Sequence, residues 1–410
     1  MRVESLEGRA AGHALRALIP SGASVRDDVA EIVEAVRTGG DEVVAEYVQR
    51  FEDHAGPLRV PAEDLAAAAA AVDADVRAGL ELAMTNVAAV AAASLGDDAE
   101  VELPQGQHVV VREFPVRRAA IYVPGGRNPY PSTVVMGVVT ARVAGVEEIV
   151  VCAPGAHAVI LAACALCGVS EVYAMGGAQA VAALAFGTET IPRVDVIAGP
   201  GSLYVQEAKR LVFGEVGIDG FLGPSDLVVV ASGDADLELV ALDLLAQAEH
   251  GDGTVVAVVS DDARALGVVE QRLAKGAETG AVAAVVLVDD LDAALAVAEA
   301  FAPEHLSLQG AAAEALAPQV RNAGCVFVGA GSAVAFGDYV AGSNHSLPTG
   351  GAARFGSALS PRAFRRRMAE VRVGGAAAAL AGPGAAVARA EGFLVHAESM
   401  EARVRENGAP

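Results

Sequence analysis

A chain of 410 residues is too long for a single hydrophobic core, so two or more domains are expected. Its formal charge of −23 argues against a nucleic-acid or anionic-membrane partner, and the hydrophobic fraction of 53% with 45 Gly and no Trp is that of an Ala-rich globular protein. Four cysteines (Cys152, Cys164, Cys167 and Cys325) are too few for a disulfide framework.

The first residues, "MRVESLEGRAAGHALRAL", lack the apolar core of a signal peptide, and a reducing cytoplasm is the expected setting. No apolar stretch reaches membrane-spanning length without Gly, Pro or charge interrupting it. Residues 1–100 read as helices, the longest in "AEDLAAAAAAVDADVRAGLELAMTNVAAVAAAS". Short β-branched runs then alternate with helical stretches: "AAIYV" (119–123), "EIVVCA" (148–153), "EVYAM" (171–175), "VDVIA" (194–198), "DLVVVA" (226–231), "TVVAVV" (254–259), "AVVLV" (284–288) and "CVFV" (325–328). Cys164 and Cys167 fall in "VILAACALCG", a buried Ala-rich helix, and read as core residues. The basic cluster "RAFRRRM" (362–368) reads as a solvated helix face or an interface patch. Past about residue 375 the chain turns helical again.

This pattern predicts an α/β fold: two incomplete Rossmann-like lobes with parallel-type sheets, plus helical N- and C-terminal extensions. The expected division is an extension over 1–20, a discontinuous first lobe over 21–118 and 226–375, a second lobe over 119–225, and a terminal extension over 376–410. Three glycine-rich turns follow strands: "VPGGRNPYPS", "AGPGSLYV" and "VGAGSAVAFG". None completes G-x-G-x-x-G, but such turns carry helix N-termini that suit an anionic ligand.

Of the eight histidines, His13, His54, His108 and His157 carry no pattern and read as structural or surface residues. The other four sit in polar motifs: "QAEH" (247–250), "APEHLSL" (302–308), "GDYVAGSNHSLPTGG" (337–351) and "EGFLVHAE" (391–398). Each alone is more readily structural than catalytic. Together His250, His305, His345 and His396, with Gln247, Glu304, Asp338 and Glu391, are enough for a metal site and a general base. Gln247 and His250 are three residues apart at the end of the helical run "LLAQAEH", a spacing that shares one helix face. Gly251-Asp252-Gly253 is expected to stop that helix.

Together "YVPGGRNPYPSTVVM", "GGAQAVAALAFGTETIPRVDVIAGPG", "GPSD", "DLLAQAEH", "APEHL", "GDYVAGSNHSLPTGG" and "EGFLVHAESMEARV" resemble the histidinol dehydrogenase family, in family order, over roughly residues 20–405. The resemblance implies oxidation of L-histidinol to L-histidine, via bound L-histidinaldehyde, in two NAD-linked steps that end histidine biosynthesis. It implies one Zn2+ per active site and a homodimer whose sites borrow residues from both subunits. Carried over motif by motif, the metal ligands are Gln247, His250, Asp338 and His396, and the catalytic pair is Glu304 and His305. Ser225, His345 and Glu391 would line the substrate pocket with those six, and Tyr122, Gln179 and Ser202 would contact NAD. The first lobe would carry the metal and catalytic residues, the second NAD, and the C-terminal extension would serve the partner subunit's site.

Three positions depart from the family's usual residues: Ser202 stands for Asn, Asp226 for Glu and Thr140 for Pro. They leave open a zinc- and NAD-dependent dehydrogenase acting on another small polar alcohol, such as a sulfonated diol. A zinc hydrolase or a catalytically silent zinc-binding protein is a third reading, in which the glycine turns are structural.

Overall fold

The computed structural model describes residues 2–19, 25–52, 56–125, 128–220 and 223–406. His54 and the Gly126-Arg127 part of the first glycine turn lie outside the described residues. Strands are numbered along the chain: β1 (Arg2–Glu7), β2 (Ala99–Glu102), β3 (His108–Pro115), β4 (Arg118–Tyr122), β5 (Glu148–Cys152), β6 (Val172–Tyr173), β7 (Val196–Ala198), β8 (Gly217–Ile218), β9 (Asp226–Ala231), β10 (Val255–Ser260), β11 (Val282–Leu287), β12 (His305–Gln309), β13 (Cys325–Val328) and β14 (Arg365–Arg372). Two compact units form, one from Met1–Ser94 with Val116–Phe364, the other from Leu95–Pro115 with Arg365–Pro410.

The first unit holds two parallel sheets, ordered β6-β5-β4-β7-β8 and β1-β11-β10-β9-β12-β13. Their central strands are apolar on both faces and buried end to end, as in β4, β9 and β10, so each sheet needs helices on both sides. On the five-stranded sheet, helix Arg26–Glu52 lays Val29, Ile32, Val33, Val36, Val44 and Val48 into one core beside helix Gly177–Phe186. Helices Ala62–Ala71 and Ala74–Ala93 cover the other face with Leu65, Leu80, Ala83 and Val87. Helix Ala74–Ala93 is long and apolar enough to cross a membrane by length and composition alone. It nevertheless carries Asp75, Arg77 and Glu81, and its apolar side is part of this core. On the six-stranded sheet, helices Leu237–Ala248 and Ala263–Ala274 pack one face, and Ala11–Arg16 and Leu291–Phe301 the other.

The second unit is an antiparallel sheet, β14-β3-β2, and two helices, Ala377–Ala390 and Leu394–Glu406, packed through Ala385, Ala388 and Ala397. Here and at the N-terminus the elements differ from the sequence reading. Residues 2–7, read within a helical stretch, are a strand that pairs parallel with β11. "RAFRRRM", read as a solvated helix face or an interface patch, is no helix face but runs into β14, whose Arg365 and Arg367 both meet Glu113 of β3 while Arg366 lies over Phe114. Cross-strand pairing with an acidic and an aromatic partner is what makes a strand of this charged run.

The four cysteines are free thiols, and burial pushes those of Cys164 and Cys167 upward, as suits core residues. Phe301 is fully buried beneath the Arg16 guanidinium, 4.3 Å from its ring centroid. Phe301→Ala should therefore cost about 3–5 kcal/mol, read as a lower denaturant midpoint at unchanged slope. A loss below about 1 kcal/mol would contradict the ring's anchoring role.

Candidate active site

Two clefts open in the first unit and share a wall. The smaller, about 600 Å³, is lined by Ser225, His250, Glu304, His305, Asp338 and His345 among others. The larger, about 880 Å³, is lined by Tyr122, Gln179 and Ser202 together with Glu52 and Tyr47. Pro124, Gly125, Ser202 and Tyr204 line both. The first two glycine turns supply this wall; the third, after β13, lines neither cleft.

The smaller cleft lies at the amino ends of the six-stranded sheet. Parallel register sets Leu227 of β9 against His305 of β12 and Asp226 against Val255 of β10. The residues just before these pairs therefore come together. The Glu304 backbone N–H donates to Asp226 Oδ1 at 2.6 Å, and the Asp226 N–H donates to Glu304 Oε2 at 3.1 Å. The Ser225 hydroxyl also donates to Glu304 Oε2, and the Gln247 amide donates to Ser225 Oγ. Burial pushes the Glu304 carboxyl up to about 7, with nearby Asp226 adding to the rise and His305 opposing it.

His305 donates from Nδ1 to the Asp226 carbonyl at 3.1 Å, because a carbonyl can only accept. Its Nε2 is left facing Asp338 Oδ1 at 3.7 Å. Burial disfavours the charged imidazole, but Glu304, Asp338 and the Asp226 carbonyl outweigh it and raise His305 to about 9. His345 has the same tautomer for the same reason. Its Nδ1 donates to the Asp338 carbonyl at 2.9 Å, and Nε2 then accepts from Thr133 Oγ1 at 3.2 Å. Burial lowers the His345 pKa, in keeping with a neutral ring.

Helix Leu237–Ala248 ends as the sequence suggested: the His250 N–H still bonds the Gln247 carbonyl, and Gly251 turns away at φ 88°. His250 opens to the cleft, yet surrounding protein lowers its pKa against the pull of Asp338, while Asp338 itself is held below its ordinary value by His305, His345 and His250 despite burial. A neutral imidazole beside an ionised carboxylate is a donor set suited to zinc. Gln247 sits behind Ser225 and does not line the cleft; with its amide nitrogen committed there, its oxygen is the atom left to donate. Among the described residues no three His, Cys, Asp or Glu side chains form a ready metal cage. The remaining two expected residues, Glu391 and His396, belong to the second unit, where both are exposed.

The larger cleft lies at the carboxyl ends of the five-stranded sheet, where ligands of α/β proteins commonly bind. Helices Gly177–Phe186 and Leu203–Val212 both start there without a side-chain cap. The Gly177 N–H donates to the Tyr122 hydroxyl at 3.0 Å, and Glu52 accepts from the Gly176 N–H and the Gln179 amide. Glu52 and Thr133 were not singled out from the sequence. Their partners are 124 and 212 residues away, and no local pattern marks such contacts.

Two of the three unusual residues lie outside both clefts. Thr140, in helix Pro131–Val143, accepts from the Asn344 amide at 3.1 Å and so braces the segment carrying His345. Asp226 positions Glu304 and is itself pushed up to about 6 by burial.

A carboxyl whose folded pKa is raised stabilises the fold fully below its ordinary 4.5, and that stability is lost as pH rises through about 7. Glu304→Gln keeps an acceptor but cannot ionise. In metal-free protein its stability relative to wild type should grow by about 1–3 kcal/mol between about pH 5 and about pH 8.5. A difference independent of pH would show that Glu304 titrates normally.

The histidinol dehydrogenase family model matches residues 20–404. Histidinol dehydrogenase of Gluconobacter oxydans is 41% identical over 403 residues, covering 94% of each chain. That of Parasynechococcus marenigrum is 42% identical over 398 residues, covering 93% of this chain and 91% of the relative. The crystal structure of histidinol dehydrogenase from Elizabethkingia anophelis superposes with a TM-score of 0.91 at 28% identity, covering 100% of this chain and 99% of that one. With a matching family model and more than 40% identity over nearly the whole length, the chain belongs to the histidinol dehydrogenase family of oxidoreductases.

Proposed function

We propose that the protein oxidises L-histidinol to L-histidine through bound L-histidinaldehyde, consuming two NAD per turnover at a zinc-bearing site. The observation that carries this reading is the pairing of clefts: a buried Glu304–His305 pair beside His250 and Asp338, opening through a shared wall onto a second cleft of nucleotide size. The substrate of another alcohol dehydrogenase is less well supported, because Thr140 and Asp226 brace the site from outside the clefts and only Ser202 lines them.

Gln247, His250 and Asp338 would hold the metal, completed by the partner subunit's His396 in a homodimer. The partner subunit's Glu391 would meet the substrate ammonium. Zinc held there would supply a positive charge that anchors the substrate's nitrogen donors. As the base, His305 would act in its neutral form. In that form its Nδ1 proton is fixed on the Asp226 carbonyl, so the basic Nε2 faces the cleft.

In the first step the carbinol carbon gives hydride to the nicotinamide, the hydroxyl proton passes to His305 Nε2, and a C=O bond forms. In the second, Glu304 removes a proton from water as its oxygen attacks the aldehyde carbon. His305 returns its proton to the aldehyde oxygen, giving the hydrate, which then gives a hydride to a second NAD and a hydroxyl proton to the freed His305, leaving the carboxylic acid to ionise to the carboxylate. A carboxyl held near 7 suits this second step, since it is both available as a base and readily reprotonated. Tyr122, Gln179 and Ser202 would position NAD, with the uncapped start of helix Leu203–Val212 meeting its phosphates. This biosynthetic reading places the enzyme in the cytoplasm.

Zinc-loaded protein given histidinol and excess NAD should release two NADH for each histidine formed, and should leave small polar diols untouched. One NADH with free aldehyde, or faster turnover of another alcohol, would overturn the proposal.

A further inference from the structure

Part of the wall between the two clefts comes from the segment Gly199-Pro200-Gly201-Ser202, which leaves β7 and starts helix Leu203–Val212: Pro200 and Gly201 line the smaller cleft and Ser202 lines both. Gly199 has φ 127°, and a Cβ there would lie 2.0 Å from the Tyr122 carbonyl oxygen at the end of β4. The chain therefore passes against the neighbouring strand with no room for a side chain.

Both backbone groups of Gly199 are held by one buried ion pair. Its N–H donates to Asp219 Oδ2 at 2.7 Å, and its carbonyl accepts from Lys209 Nζ at 3.0 Å. Lys209 Nζ also bonds Asp219 Oδ1, closing the ring, and each of the two side chains is only 1% exposed. Lys209 comes from the helix that the segment begins, and Asp219 follows β8. Two charges taken fully out of water gain little stability over an apolar pair of similar size. Their distinguishing effect is to hold Gly199 by both of its polar groups.

We infer that Lys209 and Asp219 are positioning residues for the dinucleotide: they clamp Gly199 so that the wall beyond it, ending at Ser202 and the uncapped helix start, is formed before NAD arrives. This rests on the reading of the larger cleft as the NAD site. Neither residue lines either cleft, so the effect on the ligand passes through the loop.

The decisive variant is Lys209→Met with Asp219→Leu, which replaces the pair by apolar side chains and so preserves the core while releasing Gly199. In zinc-loaded enzyme its KM for NAD should rise at least about tenfold, with kcat and the KM for histidinol changed far less. An unchanged KM for NAD in the folded double variant would overturn the inference. Hydrogen exchange on the wild type provides a test that needs no variant. The Gly199 amide should be as protected as the amides of β7 before NAD is added. Fast exchange that NAD then suppresses would mean that the ligand, not the ion pair, organises the loop. Histidinol oxidation by the wild type that needs no NAD would instead defeat the reading of the cleft itself.

Discussion

The proposed active site depends on one reciprocal contact: Glu304 and Asp226 exchange backbone N–H and carboxylate across adjacent parallel strands. Parallel register alone would bring the two strand starts near one another. The exchanged bonds do more, because they hold two carboxyls in a place where burial raises both pKa values, to about 7 and about 6. The same strand start aims the Asp226 carbonyl at His305 Nδ1, which settles the tautomer of the proposed base. The geometry of the proposed acid and base and the direction of their pKa shifts thus follow from how β9 and β12 begin. The arrangement costs stability at neutral pH, as functional sites commonly do.

The two sheets divide the work. The five-stranded sheet lines the larger cleft with its carboxyl ends, glycine turns and helix starts, where the proposed NAD would bind. The six-stranded sheet offers its amino ends, where strand starts supply carboxyl, imidazole and hydroxyl groups. The common wall is built from Pro124, Gly125, Ser202 and Tyr204, and under the proposed function it is where hydride would pass between the clefts. His345 joins this arrangement through Thr133 on one side and the Asp338 carbonyl on the other.

Much of this was legible in the sequence where burial leaves a strong pattern. The apolar runs from "AAIYV" to "CVFV" are all strands, and the helix before Gly251 ends where its polar punctuation says. The motif residues Ser225, His250, Glu304, His305, Asp338 and His345 gather in one cleft, while Tyr122, Gln179 and Ser202 gather in the next. What escaped was structure with weak burial. "RVESLE" has no clear two-residue alternation, yet pairing along β11 makes it an edge strand. In "RRRMAEVR" mostly half-exposed or exposed positions hide the β pattern, and charge pairs with β3 decide the conformation. Glu52 and Lys209 escaped because their roles are set by distant backbone groups, at Gly176 and Gly199, that no local spacing announces.

Under the proposed function one cleft holds metal, base and substrate together. The most direct test is a crystal structure of the zinc-loaded protein with histidinol, with the metal located by anomalous scattering. One peak per chain is expected in the cleft, about 2.0–2.2 Å from His250 and Asp338, with the substrate hydroxyl facing His305 Nε2. A peak elsewhere, or a substrate whose hydroxyl points away from His305 and Glu304, would contradict it.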